Sequence, residues 1–375
     1  MAGNDDETLD KAQSGDKAQP GASAEGTEDR ASSGSTNRHV RTLADLARLA
    51  GVSAGTVSRA LAGKALVNAE TRDRIQALAR HHGFKPNQMA SKLRTGRTGV
   101  IGVVIPLGHE KRQQISDPFF LTLLGHLADE LTESGYDMML SRALPDGSAD
   151  WLERIAGSCM VDGIIVIGQS DQFHVIESVA QGYRPMLAWG QYRHGQTHCA
   201  VGTDNEAGGR IAVEHLLASG ARNLAFLGQT RGIEIAIRYR GAAMAAEAAG
   251  APFAHLPVDL AGESMGPQIE QALAGTDLAI DGIVAASDLI AMSALRVLHD
   301  MGRAVPGDVR VVGFDDLPLA AQTTPPLTTI RQEIAEGARA LVEKLKARIE
   351  GQSDGQPVQS LVMPPRLVVR QTTQG

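Results

Sequence analysis

The side chains best placed to do chemistry in this sequence are suited to gripping a partner rather than breaking a bond. Ser53, Thr56, Ser58 and Arg59 crowd into one short stretch. If a helix begins there, its first backbone amides are unpaired and partly positive, so together with the hydroxyls of Ser53 and Thr56 they suit phosphate oxygens. Arg59 can donate two parallel hydrogen bonds to a guanine edge in the major groove. Ala54 and Gly55 offer little to polar base atoms, but they permit close approach and contact with a thymine methyl group. A second set of residues lies where apolar runs give way to amphipathic ones, the junctions at which open parallel sheets hold ligands. These are Phe119 and Phe120, Gln169, Trp189, Ser287 with Asp288, and Asp315. Catalytic patterns do not accompany them. The chain contains no Gly-x-Gly, His-Glu-x-x-His or Cys-x-x-Cys. We expect no enzyme, no metal and no cofactor, and we read Cys159 and Cys199 as buried thiols.

Elements must position these residues, and the first three are short helices. Thr42 caps Leu43–Ala50, Ser53 caps Ala54–Leu61 and Asn68 caps Ala69–His82, with Gly51 and Gly83 at helix ends. Leu43, Leu46, Ala47 and Ala50 share one face, and Val52 and Val57 complete the apolar contacts of a tight helix-turn-helix. Charge agrees. Residues 40–98 carry 11 Lys and Arg against 3 Asp and Glu, in a chain whose net charge is −7. A basic head on an acidic body points to a polyanion, although a solvated basic helical face would read the same way.

The remaining texture sets the architecture. Residues 1–40 form an acidic tail too poor in large apolar groups to offset ordering entropy, and we expect disorder there. Beyond Arg97, apolar runs at Val100–Ile105, Met138–Ser141, Gly163–Ile167, Met186–Trp189, Asn223–Leu227, Gly282–Ala285 and Val309–Phe314 alternate with helical stretches such as Phe120–Ser134, Ala207–Ser219 and Asp288–Met301. Such alternation means parallel sheets covered on both faces, and this length exceeds one ordinary sheet. The expected fold is multidomain: an all-α helix-turn-helix headpiece at 41–86, a hinge at 87–97, and an α/β body at 98–375 of two doubly wound parallel-sheet lobes with a cleft between them. No apolar run approaches a bilayer span and the start lacks the pattern secretion requires, so a cytoplasmic protein without a membrane partner is expected.

The run Thr42-Leu-Ala-Asp-Leu-Ala-Arg-Leu-Ala-Gly-Val-Ser-Ala-Gly-Thr-Val-Ser-Arg-Ala-Leu61, followed by Val67-Asn-Ala-Glu-Thr-Arg72 and Gly83-Phe-Lys-Pro-Asn87, resembles the headpiece of the LacI/GalR family of transcriptional regulators. The likeness continues through Leu93-Arg-Thr-Gly-Arg97, Asp204-Asn205, Gly208-Gly209, Val311-Val-Gly-Phe-Asp-Asp316, Pro325-Pro-Leu-Thr-Thr-Ile-Arg-Gln332 and Leu367-Val-Val-Arg370, covering everything from about residue 41. It implies a repressor of carbohydrate-utilisation genes, released by a sugar inducer, with a body like that of periplasmic binding proteins. The resemblance places Ala54, Gly55 and Arg59 at specificity positions, and Thr42, Leu43, Ser53, Thr56, Ser58, Asn87, Ala90, Leu93 and Arg94 on the DNA side. Arg238 matches its effector-binding arginine, and Asp315 and Gln332 match two further contact positions.

Two consequences depend on that likeness. Asn87–Thr95 is too short to hold a helix alone in water, so it should fold only against a partner. In the family two such helices pair in the minor groove, and Leu93 would be the wedge that kinks the duplex; otherwise it is a buried linker leucine. Lys92, Arg94 and Arg97 can neutralise nearby phosphates. A ligand that moves the body halves apart would separate the pair. Arg238 and Asp315 with amide and aromatic neighbours suit a neutral polyol, a glucoside or maltose-like saccharide by preference. No carboxylate stands at Met186–Gly190, where a sugar-binding member has one, so Trp189 or Gln191 would supply a different recognition. A purine co-repressor, stacking on Phe120, and a sugar-binding transport-type module without DNA function stay open. No leucine heptads follow Thr373, so we expect a homodimer on a near-palindromic operator.

Overall fold

Local signals set the boundaries of the first helices. The computed structural model describes residues 40, 42–61, 66–84, 97–107, 113–143, 150–169, 172–259, 264–351 and 359–374. Helix α1 (Leu43–Ala50) starts on a reciprocal cap: the Asp45 amide donates to Thr42 Oγ1 and the Thr42 amide to Asp45 Oδ2, each at 3.1 Å. Helix α2 (Ala54–Leu61) follows, with the Thr56 amide donating to Ser53 Oγ at 3.1 Å. In α3 (Ala69–His81) the Thr71 amide donates to Asn68 Oδ1 at 2.8 Å. Leu46, Val57, Ala60 and Ile75 are fully buried between the three helices. Arg74 then ties α3 to the end of α1, donating to the Ala50 carbonyl at 3.0 Å. This bundle belongs to one compact unit, residues 1–87; residues 88–375 form the other. The tail, the hinge segment and with them Asn87, Ala90, Leu93 and Arg94 lie outside the described residues.

The second unit alternates strand and helix. Its first half runs β1 (Val100–Pro106), α4 (Pro118–Glu133), β2 (Asp137–Ala143), α5 (Trp151–Ala156), β3 (Gly163–Ile167), α6 (Phe173–Gly182), β4 (Met186–Trp189) and β5 (Cys199–Thr203). The second half runs α7 (Asn205–Ala218), β6 (Leu224–Leu227), α8 (Ile233–Ala248), β7 (Phe253–Leu256), α9 (Met265–Ala274), β8 (Gly282–Ala285), α10 (Asp288–Asp300), β9 (Arg310–Asp315) and β10 (Thr328–Arg331). Last come α11 (Ile334–Ile349), β11 (Leu361–Met363) and β12 (Arg366–Val368). Strands β3, β4, β6 and β8 are buried end to end, as strands covered on both faces must be.

Two sheets result, ordered β11-β5-β4-β3-β1-β2 and β12-β10-β9-β8-β6-β7. Among the described residues the chain crosses between the lobes three times, after Thr203, Arg331 and Met363. The first and third crossings touch, where the Asp204 amide donates to the Met363 carbonyl at 3.0 Å. One strand departs from the all-parallel expectation. β12 pairs antiparallel with β10, Arg366 opposite Arg331, because it enters its sheet at the end where the other strands finish. Helix α11 follows a strand of the second lobe yet buries Ile334, Ala338, Leu341 and Leu345 in the core of the first. The lobes are therefore laced together rather than joined by one linker. Of the two cysteines, Cys199 is buried but Cys159 is exposed, at φ +53° in the turn after α5, which corrects the expectation of two buried thiols. No helix among the described residues is long and apolar enough to cross a membrane.

Candidate functional site

Two surfaces hold the residues singled out above. On the headpiece, Ser53, Ala54, Gly55 and Arg59 are exposed, and Thr56 and Ser58 are partly so, along the start and outer face of α2. The hydroxyls of Ser53 and Thr56 meet at 2.9 Å, and Arg59 Nε donates to the Gly55 carbonyl at 3.1 Å. Its guanidinium is thus folded along the helix on a face open to a partner. Thr42 is exposed but occupied with its cap, and Leu43 is half-buried against the headpiece core.

In the body, the carboxyl ends of both sheets face one cavity. The first lobe supplies an aromatic wall. Asp117 caps α4 by accepting from the Phe119 amide at 2.9 Å, and Pro118 begins the helix, so Phe119 and Phe120 are held at its mouth. Phe119 packs at 6.2 Å from Trp189, measured between ring centroids, at the end of β4. The second lobe supplies charge. Arg238 on α8 donates to Asn205 Oδ1 at 2.8 Å and to the Ala286 carbonyl, with its guanidinium carbon 3.3 Å from the centroid of the Phe314 ring. Gly209 makes this possible. A Cβ there would collide with the Arg238 carbonyl, so only glycine lets α7 and α8 touch backbone to backbone and bring Asn205 to Arg238. Asp315 closes β9 at φ +123°, followed by Asp316 at φ +56°, left-handed conformations that non-glycine residues seldom adopt. Gln332 Nε2 donates to Asp315 Oδ1 at 2.7 Å. Asp316 is held in turn by Arg331 and Arg370, each at 2.6 Å.

Burial governs the protonation of these groups. Desolvation pushes the Asp315 carboxyl well above the usual carboxylate range, against the pull of Arg238, and lowers Arg238 to about 10. Glu234 and Asp117 are also raised by burial. Two buried polar atoms of the cavity lining, Thr203 Oγ1 and Arg238 Nε, have no hydrogen-bond partner among the described residues. Such atoms are costly unless something else satisfies them.

Phe119, Phe120, Trp189, Arg238, Ser287, Asp315 and Gln332 all line this cavity. Two expected contacts do not. Asp288 turns its carboxylate inward to accept from the Leu317 amide at 2.8 Å and the Thr329 hydroxyl at 2.5 Å, while Ser287 caps α10. Gln169 is fully buried and spans the Gln191 carbonyl and His198 Nε2. Gln191 likewise is not in the lining and accepts from Asn205 Nδ2 at 3.1 Å. Sequence reasoning overlooked Gln113, Asp117, Thr203, Asn205 and Glu234 as lining residues. For Glu234 a signal existed, since it stands one helical turn before Arg238 and must share its face. The others depend on how distant segments meet.

Comparison with known proteins finds relatives of both units. Residues 42–87 match the profile of bacterial regulatory proteins of the lacI family, and residues 213–373 that of the periplasmic binding protein-like domain. The chain is 30% identical over 343 residues to the ribose operon repressor of Halalkalibacterium halodurans, covering 89% of this chain and 97% of that one. A solved complex of the transcriptional regulator CelR with cellobiose is 28% identical with a TM-score of 0.63, covering 88% and 99%. The fold is also that of the Lac repressor dimer bound to operator and the anti-inducer ONPF, at a TM-score of 0.76 and 24% identity over 89% of this chain and 99% of that one.

Proposed function

The chain belongs to the LacI family of bacterial regulatory proteins, and on that premise we propose that it represses carbohydrate-utilisation genes and releases its operator when a saccharide fills the interlobe cavity. One observation carries the reading. Arg238, Asp315 and Gln332 converge opposite Phe119 and Trp189, so a ring with hydroxyls on its edge and an apolar face can satisfy both walls at once. A ribose operon repressor among the relatives and the solved complex of CelR with cellobiose support a saccharide ligand. A glucoside or a maltose-like sugar is our preferred ligand.

The DNA side follows from the headpiece. Ser53, Thr56 and the first amides of α2 hold phosphates, Arg59 reads a guanine edge, and Ala54 and Gly55 set the distance of approach. Two copies of the chain read a near-palindromic operator, with Leu93 of each hinge wedged between central base steps and Asn87, Ala90 and Arg94 beside it. Working on DNA, the protein acts in the cytoplasm. The test is a duplex-shift titration with full-length protein at rising salt, with and without maltose, cellobiose, ribose and glucose. Specific binding that one sugar abolishes, and that Leu93→Ala weakens while the headpiece stays folded, supports the reading. Sugar binding without any DNA affinity overturns it.

A further inference from the structure

Among the described residues the cavity lining sets several acidic groups against one cation. Part of its side-chain amide donors is taken up within the lining: Gln113 Nε2 donates to Asp117 Oδ2 at 3.0 Å, Gln332 Nε2 to Asp315, and Asn205 Nδ2 to Gln191 Oε1 and the Thr203 carbonyl, both at 3.1 Å. Arg238, the lining's one cation among the described residues, has both terminal nitrogens tied to Asn205 and Ala286 and its flat face on Phe314. Two of its five N–H groups are thus engaged, and its Nε has no partner among the described residues. Against this stand three carboxyl groups: Asp117 from the first lobe, and Glu234 and Asp315 from the second.

Glu234 occupies a telling position. It reaches from α8 to the first lobe, where the amides of Gln169 and Gln191 converge on its Oε1 at 3.4 and 3.3 Å. The space it fills is the one a side chain at Gly190 would need, since a Cβ there would lie 2.5 Å from that same oxygen. A carboxyl group therefore stands beside the end of β4 although β4 itself ends in Trp189 and Gly190. It comes from the opposite lobe, so any ligand between the lobes meets it.

We propose that this cavity admits non-anionic saccharides that donate hydrogen bonds through their hydroxyls, and rejects sugar phosphates and sugar acids. The proposal rests on the saccharide reading above and specifies the ligand's charge. An anion entering here gives up its water and meets three carboxyl groups against one guanidinium, in surroundings where burial already drives those carboxyls toward their neutral form. One like charge at about 5 Å in such surroundings weakens binding by about 100-fold. A neutral sugar meets no such penalty.

The experiment is calorimetric titration of the full-length protein with matched pairs: glucose and glucose 6-phosphate, ribose and ribose 5-phosphate, maltose and maltobionate, cellobiose and cellobionate. For whichever neutral sugar binds, its anionic partner should bind about 100-fold more weakly. A gap below tenfold, or binding of the anion alone, overturns the proposal while leaving a sugar effector in place. Silence from every member of every pair overturns the saccharide reading, and this proposal with it. Asp117→Asn and Glu234→Gln each remove one ionisable carboxyl with little change of shape, and at least one of them should narrow the gap by about tenfold or more. A gap unchanged in both variants shows that the carboxyl groups do not set the selection.

Discussion

The headpiece and the body hold their working residues in opposite ways. In the headpiece Ser53, Gly55 and Arg59 are exposed, and each is placed by a helix whose cap lies within a few residues. In the body Arg238, Asp315 and Gln332 are buried, and each is placed by partners from elsewhere in the chain, as when Arg238 meets Asn205 33 residues away. The difference follows from the partners. A duplex is a large polyanion that comes to a surface, where charge acts through solvent and salt weakens it. A small neutral ligand must be enclosed before a few hydrogen bonds can distinguish it. An exposed site can therefore be specified locally, whereas a buried one requires the whole lobe.

If that contrast holds, changes in the two regions should separate cleanly. The largest effect is expected from Arg238→Ala, which leaves Glu234 and Asp315 without their cation. Affinity for the effector should fall at least about 100-fold, roughly 3 kcal/mol, while effector-free operator affinity stays within about threefold. Titration of both ligands against one preparation checks this, with Arg238→Lys as the arm that keeps charge and loses the fork. Parallel loss of both affinities would break the separation. Arg59→Ala should do the reverse, costing about 1–3 kcal/mol of operator affinity and leaving effector affinity untouched, as a duplex-shift titration at fixed salt would record.

Smaller effects sharpen the local side of the contrast. Thr42→Ala removes one half of the reciprocal cap with Asp45 and should cost the headpiece about 1 kcal/mol, measured by denaturant titration, without changing the stability of the body. Asp288→Asn probes the non-local side through pH. Burial holds the Asp288 carboxyl at about 7 in the folded body, against an ordinary value of 3.8. The folded state keeps a proton that the unfolded chain releases, so this group's contribution falls as pH rises from about 4 to 7 and then levels off. The variant lacks that decline. Its melting temperature should therefore rise relative to wild type across the same interval, and a flat difference would locate the proton elsewhere.

Legibility in the sequence follows the same division. Thr42, Ser53 and Asn68 mark helix starts because capping is settled within three residues, and α1 and α2 lie where those signals put them. Apolar runs mark β3, β4 and β8 to the residue, since continuous burial on both faces leaves no other composition. β5, β7, β10, β11 and β12 are three to five residues long and carry no such run, so sequence alone passed over them. In the site, family likeness and strand ends pointed to Arg238, Asp315, Trp189 and Phe119, all of which line the cavity. Asp288 and Gln169 stand at equally suggestive junctions. Which way their side chains turn depends on Leu317, Thr329 and His198, which the local pattern does not contain.

The amino-acid order alone thus settled the class of architecture and the headpiece helices, while the family likeness pointed to the partner of each region. The first two depend on spacing and periodicity, which are local sums. Only the tertiary structure decided that Glu234 stands in for a side chain at Gly190, that Arg238 spends its fork on Asn205 and Ala286, and that β12 runs against its neighbours. Each depends on segments brought together by three crossings between the lobes, and contacts between segments far apart in the chain leave no trace in the pattern of either one.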